Sequence, residues 1–208
     1  MSRSQGVRLQ IVAHRGATAH APENTRAALR RAHELGADAV ELDVRLSVDG
    51  VPVVYHYAYL EAATIGRGPV WSHSLSALRA RRVGGPHGAH VPTLAEVLDE
   101  FTGRLGLETE LKGPEPEAVA AVVPLLEAVR RHWRGIDVTS FEPVLLAELR
   151  IHCPDLSTAL LYPRSEAWPR RRRSTKDWVA ADDPGDEPLQ TTFEMGALSY
   201  ARRSGDDW

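Results

Sequence analysis

The chain is 208 residues long, 43% hydrophobic and 25% charged, with a formal net charge of -3 and one cysteine. That size suits a single globular domain with a sizeable core, and the balance excludes a fibrous or wholly disordered chain and a disulfide scaffold. A net charge so near zero provides no whole-protein field to recruit nucleic acid or an anionic membrane, so any anion site is local.

Met1-Ser-Arg-Ser-Gln-Gly-Val-Arg8 lacks the apolar centre of a signal peptide, and no apolar run approaches the roughly 18 residues that cross a bilayer. A cytoplasmic protein without stable membrane insertion is expected. Short runs rich in Val, Ile and Leu alternate with stretches of helical spacing, the pattern of strand-helix units around a parallel sheet.

The first run, Leu9 to His14, leads into His14-Arg-Gly16: a base, a cation and a flexible glycine at the end of a strand, where phosphate chemistry is often mounted. Arg15 would fork onto a phosphate, with Gly16 allowing close backbone approach. Pro22-Glu-Asn-Thr25 opens a helix from Asn24 to Leu35, in which Ala27, Ala28, Leu29 and Ala32 recur at helical spacing before Gly36. Asn24 or Thr25 would cap that helix. Glu23 is expected to support the His14 loop from outside the ligand set.

Ala39 to Leu46 is the second strand, and alternation puts Glu41 and Asp43 on one face with Val40, Leu42 and Val44 on the other. Both faces of a parallel strand are usually covered, and two buried carboxylates repel each other and lose hydration unless a cation answers them. A divalent metal resolves that conflict. The plainer alternative is an edge strand carrying ordinary surface acids. Val48-Asp-Gly50 signals a tight turn, so Val51 to His56 returns as the second arm of a hairpin and ends in a second histidine.

Glu61 to Pro92 is irregular and glycine-rich, which reads as a loop or small insertion near the site. His87 and His90 fall in it and are assigned no role, and neither are His20, His33, His73, His132 and His152. Leu105 to Leu111 repeats the logic of the second strand, with Glu108, Glu110 and Lys112 on one face and Leu105, Leu107, Thr109 and Leu111 on the other. Three oxygen donors suit Mg²⁺ or Ca²⁺ better than zinc. The plainer alternative is a surface salt bridge between Glu110 and Lys112. A helix from Glu117 to His132 and strands from Ile136 to Phe141 and Ser157 to Tyr162 bring the strand count to six. Cys153 reads as packing in or near a helix.

His14 and His56 each end an apolar strand, where ligands meet parallel sheets and barrels, and two histidines beside a carboxylate cluster make a general acid and a general base. From Pro163 the pattern breaks: Trp168-Pro-Arg-Arg-Arg-Arg173 and Ala181-Asp-Asp-Pro-Gly-Asp-Glu-Pro188 carry no convincing strand or long helix. A solvated, partly disordered tail is expected there, ahead of a nucleic-acid contact through the basic run.

In chain order, His14-Arg-Gly16, Pro22-Glu-Asn-Thr25, Gly36-Ala-Asp38, Glu41-Leu-Asp43, Asp49-Gly50, His56 and Glu110-Leu-Lys112 resemble the glycerophosphodiester phosphodiesterase family. Thr139-Ser-Phe141 and Ala147-Glu-Leu-Arg150 extend the likeness less specifically, to about residue 162. The resemblance implies a TIM-type (β/α) barrel, incomplete here with about six of eight strands in view, and a site at the C-terminal ends of the strands. It implies Glu41, Asp43 and Glu110 as ligands of Mg²⁺ or Ca²⁺, His14 and His56 as the acid-base pair, and Arg15 and Lys112 as phosphate binders.

The implied substrate is a small glycerophosphodiester, whose own glycerol hydroxyl attacks phosphorus and expels the alcohol before water opens the cyclic phosphate to sn-glycerol 3-phosphate. The rivals are a family member that binds metal or phosphate without turnover and a related phospholipase D-type enzyme. Two departures bear on that choice. The family usually follows the second histidine with Asp and a Leu-x-Arg-Thr-Thr segment, where this chain has Tyr57 and Leu60-Glu-Ala-Ala-Thr64. The family's last two strands do not show either, which divides the chain into a barrel portion, 1–162, and an atypical tail, 163–208, with frameshift or truncation as its suggested origin. A barrel short of two strands exposes edges that favour association into a homo-oligomer.

Overall fold

The computed structural model describes residues 10–85, 88–113, 115 and 117–162; the tail of residues 163–208, Leu9 and His87 lie outside them. In chain order the elements are β1 (Val12–His14), α1 (Arg26–Glu34), β2 (Ala39–Leu46), β3 (Pro52–Val54), α2 (Leu75–Arg79), β4 (Arg82–Val83), β5 (Ala89–His90), α3 (Leu94–Phe101), β6 (Gly106–Leu111), α4 (Ala118–Ala128), β7 (Ile136–Ser140), α5 (Pro143–His152) and β8 (Ser157–Leu160).

The main sheet has six strands in the order β1-β2-β6-β7-β8, with β3 paired to β2. The five strands of that path run parallel and follow the chain without reversal. That is the winding of a barrel; a doubly wound sheet reverses at a switch point. β3 is the antiparallel arm of the hairpin, with Val44 opposite Val54 and Leu46 opposite Pro52. β2 is buried at all eight positions, so the edge-strand alternative for Glu41 and Asp43 falls.

One face of the sheet makes the core. Val40, Leu42, Val44, Leu107, Leu111 and Val138 pack there against Leu29 and Ala32 of α1, Leu94 and Leu98 of α3, Val119 and Val122 of α4 and Leu145 and Leu149 of α5. Cys153 is buried in the same cluster at the end of α5, as the sequence implied. α3, which lies outside the expected helices, is marked twice in the sequence: Leu94, Val97, Leu98 and Phe101 recur at helical spacing, and Thr93 and Glu96 form a reciprocal capping box at its start. α4 stops at Ala128, short of the expected His132, and passes into a 3-10 turn. Trp133 Nε1 donates to the Leu126 carbonyl at 2.8 Å, which satisfies a helix-end acceptor and folds the chain back.

The stretch expected to be irregular is built around a core of its own. Leu60, Val70, Leu78, Val83 and Val91 pack together with Val53 and Tyr55, held by 3-10 turns, α2 and the two-stranded sheet of β4 and β5. These elements run to five residues or fewer, too short for a periodic signal to rise above the glycines around them. No helix among the described residues is long and apolar enough to cross a membrane.

Candidate active site

Parallel pairing decides which side chains stand side by side. His14 is in register with Glu41 and Glu41 with Glu108; two residues further along, Asp43 is in register with Glu110 and Glu110 with Thr139. Registered residues of neighbouring parallel strands project from the same face. The carboxylates of Glu41, Asp43 and Glu110 therefore converge, with one ligand oxygen from each lying within 4.8 Å of the others, and all three residues are buried.

Two cations sit among them. Lys112 Nζ is 2.7 Å from Glu110 Oε1 and 3.2 Å from Asp43 Oδ1, and Arg15 Nε is 3.4 Å from Asp43 Oδ2. Glu110 and Lys112 thus do pair, but in the interior and not on the surface. Glu41 Oε2 accepts the Arg15 backbone N-H at 3.1 Å and lies 3.7 Å from His14 Nε2.

The charges divide the three acids into two kinds. Burial pushes Glu41 well above the ordinary carboxylate range, and the like charges of Asp43 and Glu110 push the same way. Burial also raises Glu110, with Lys112 opposing and Asp43 adding to the rise. Burial would raise Asp43 as well, but Lys112, His56, Arg15 and a hydrogen bond from Asn24 outweigh it and hold Asp43 far below its usual value. Lys112 stays charged: burial acts to lower it, yet Asp43 and Glu110 hold it above its ordinary value. His56 is pulled down to about 3, chiefly by burial, with Asp43 opposing and the cations Lys112, Arg15 and Arg45 assisting. Its imidazole is neutral at physiological pH.

Three carboxylates face two cations, one of which, Arg15, also answers Glu23, so the trio in its ionised form is not fully compensated from within the protein. Asp43 Oδ1 meets Lys112 as an ion pair without a hydrogen bond, and Glu110 Oε1 has Lys112 Nζ as its partner at 2.7 Å. An all-oxygen, partly unsatisfied donor set of this kind fits a hard divalent cation.

The loop from His14 to Thr25 brings the remaining groups in. Arg15 and Asn24 both adopt left-handed backbone, with φ of 55° and 54°, at a cost of about 1–2 kcal/mol for an ordinary residue and less for Asn. The Arg15 turn aims its N-H at Glu41. Gly16 has φ of 87°, and a Cβ there would come within 2.7 Å of the Ala28 backbone, so only glycine lets the loop rest on α1. Arg15 Nη1 donates to Glu23 Oε2 at 3.1 Å, so Glu23 supports this loop through the guanidinium.

Thr25, and not Asn24, caps α1, its Oγ1 accepting from Ala28 N at 3.2 Å. Asn24 instead donates from Nδ2 to Asp43 Oδ2 at 2.7 Å and accepts from the Asp43 backbone N-H at 3.2 Å. Sequence reasoning missed this, because an Asn just before a helix reads first as a cap.

Tyr57 turns its ring edge against His56, with centroids 4.7 Å apart and planes at 88°. Ala62 and Ala63 line a cavity of about 470 Å³ with Pro22, Glu23 and Thr64, so the cavity shares Glu23 with the Arg15 ion pair.

The model of the glycerophosphoryl diester phosphodiesterase family matches residues 14–187. The chain belongs to that family. It is 32% identical over 164 residues to the glycerophosphodiester phosphodiesterase of Caldanaerobacter subterraneus subsp. tengcongensis, covering 73% of this chain and 66% of the relative. A glycerophosphodiester phosphodiesterase crystal structure from Agrobacterium tumefaciens shares 38% identity and a TM-score of 0.65, over 73% of this chain and 66% of that one. An Oleispira antarctica phosphodiesterase, solved in complex with the product sn-glycerol-3-phosphate, shares 31% identity and a TM-score of 0.66, over 77% of this chain and 69% of that one. The fold is accordingly the family's (β/α) barrel type, of which the described residues form an open, six-stranded portion. The chain spans about half the length of several curated relatives it matches, 45% and 49% for two of them.

Proposed function

We propose that this protein hydrolyses glycerophosphodiesters to an alcohol and sn-glycerol 3-phosphate, with Glu41, Asp43 and Glu110 holding a Mg²⁺ or Ca²⁺ ion. The buried trio of carboxylates, faced by Arg15 and Lys112 with His14 beside Glu41 and His56 coupled to Asp43, carries this reading. When bound, the ion supplies positive charge that polarises the phosphoryl group and acidifies a hydroxyl.

The chain's own residues do the rest. Arg15 and Lys112, both pointing charge into the cluster, bind phosphate oxygens; Arg15 offers a planar fork and Lys112 a point charge. His14, on β1 beside Glu41, and His56 form the acid-base pair: one takes the proton of the attacking glycerol hydroxyl and the other returns a proton to the departing alkoxide. Water then opens the cyclic phosphate with the two histidines in exchanged roles. Asn24 holds Asp43 in place for the ion.

A second reading, a family member that binds metal or phosphate without turnover, is favoured by one observation: Tyr57 packs against His56 where the family resemblance leads one to expect a carboxylate. The test is glycerol 3-phosphate release from glycerophosphoethanolamine and glycerophosphocholine, with Mg²⁺, Ca²⁺ or chelator, beside a His14→Ala control. Metal-dependent release that the control abolishes supports the hydrolase. Folded protein that binds Mg²⁺ and releases nothing supports the second reading, and preferential turnover of lysophospholipid would place the enzyme with the phospholipase D-type relatives.

A further inference from the structure

Arg45 follows Glu41 and Asp43 on the same face of β2 and is only 4% exposed. A buried guanidinium is costly unless its N-H groups are answered. Here Nε donates to the His56 carbonyl at 2.9 Å and Nη1 to the Gly113 carbonyl at 3.1 Å, with Glu115 Oε1 at 3.8 Å from Nη1. The fork therefore ties together three segments that are far apart along the chain: the strand bearing Glu41 and Asp43, the turn bearing His56 after β3, and the turn that follows Lys112 after β6.

His56 gains most from this. Its Nδ1 is buried and makes no hydrogen bond, so the imidazole is placed through its backbone and through the Tyr57 ring packed against it. The Arg45 hydrogen bond fixes the carbonyl of that backbone.

We infer that Arg45 is a positioning residue, holding His56 and the Lys112 end of β6 in place relative to Glu41 and Asp43 without touching substrate. The kinetic consequence rests on the proposed hydrolysis; the geometric one does not. Lysine at position 45 keeps the charge but has no planar fork to span two carbonyls.

The test compares Arg45→Lys and Arg45→Gln with the unaltered protein by thermal melting, by steady-state kinetics on glycerophosphoethanolamine with saturating Mg²⁺, and by histidine side-chain NMR. The His56 ring signals are assigned by their loss in His56→Gln. Both variants are expected to remain folded at assay temperature while the His56 signals move. kcat should fall about 10- to 100-fold, the order that a small misplacement costs, while KM stays within about threefold.

Unmoved His56 signals overturn the proposal, and so does a loss of kcat no larger than the loss of folded protein. Failure of both variants to fold would make Arg45 a folding residue and overturn it as well. If the unaltered protein releases no product yet the His56 signals move, the hydrolase reading falls and the positioning role stands.

Discussion

β2 and β6 carry two chemistries on their two faces, separated by nothing more than the alternation of side chains. On one face Val40, Leu42, Val44, Leu107 and Leu111 are at most 1% exposed and pack into the apolar core. On the other, Glu41, Asp43 and Glu110 are almost as buried, yet burial there sets like charges against one another and strips them of water. Removing water is favourable on the first face and unfavourable on the second. The core face can carry the acidic face only because both share the same strands, so a change on either should separate stability from chemistry.

The largest effect is expected from Glu41→Gln. Loss of one ligand should lower glycerophosphodiester turnover by about 10³-fold or more, roughly 4 kcal/mol of transition-state stabilisation. The same substitution should raise the melting temperature of the metal-free protein, because it removes a carboxylate whose charged form burial disfavours and Asp43 and Glu110 repel. A lower melting temperature would mean that Glu41 is held by contacts stronger than the Arg15 N-H.

Leu42→Ala is the converse. It should cost about 3 kcal/mol and lower the melting temperature by about 6–12 °C, from a cavity beneath the sheet. Mg²⁺ affinity measured by calorimetry in the cold should not change. A large loss of affinity would show that the two faces are not separable.

Asn24→Gly keeps the left-handed backbone and deletes the amide that grips Asp43. Metal affinity should fall about 10- to 100-fold, as when an outer support of a ligand is removed, with melting little changed. Equal affinity would return Asn24 to the turn role alone.

The smallest effect is with pH. Glu41 and Glu110 are both held above the ordinary value of 4.5 in the metal-free site, so they bind protons more tightly folded than unfolded. Metal-free stability should therefore decline as pH rises from that ordinary value through the higher folded values. Asp43 acts in the opposite sense, but only below its own ordinary value of 3.8. Cation binding must expel the extra protons, so Mg²⁺ affinity should rise with pH, by up to about tenfold per unit for each proton released. Calorimetry in two buffers of different ionisation enthalpy counts those protons. A count of zero would mean that both acids are already ionised in the metal-free site.

Much of this was legible in the chain itself. The six strands of the main sheet, the hairpin at Asp49-Gly50 and the shared face of Glu41 and Asp43 follow from period-two alternation and turn signals, which are local properties of the sequence. α3 was marked both by its cap and by the helical spacing of Leu94, Val97, Leu98 and Phe101, whereas the small core around Leu60 and Val70 left no mark, since its members are spread over turns with no common period. The roles of Asn24 and Arg45 were likewise hidden, because each depends on a partner 11 to 68 positions away.

By itself, then, the sequence determined which side chains share a face and that β1 ends in a histidine, because a strand's pleat is fixed by its own backbone; β3, expected to run to His56, stops at Val54 and leaves His56 in the following turn. Only the tertiary structure decided that Glu110 lies beside Asp43, that Lys112 and Arg15 neutralise them within the interior, and that Arg45 reaches two distant carbonyls. Register between β2 and β6 is set by the packing of whole elements, and electrostatic coupling, which falls with distance and is strengthened by burial, reaches this strength only once that packing is made.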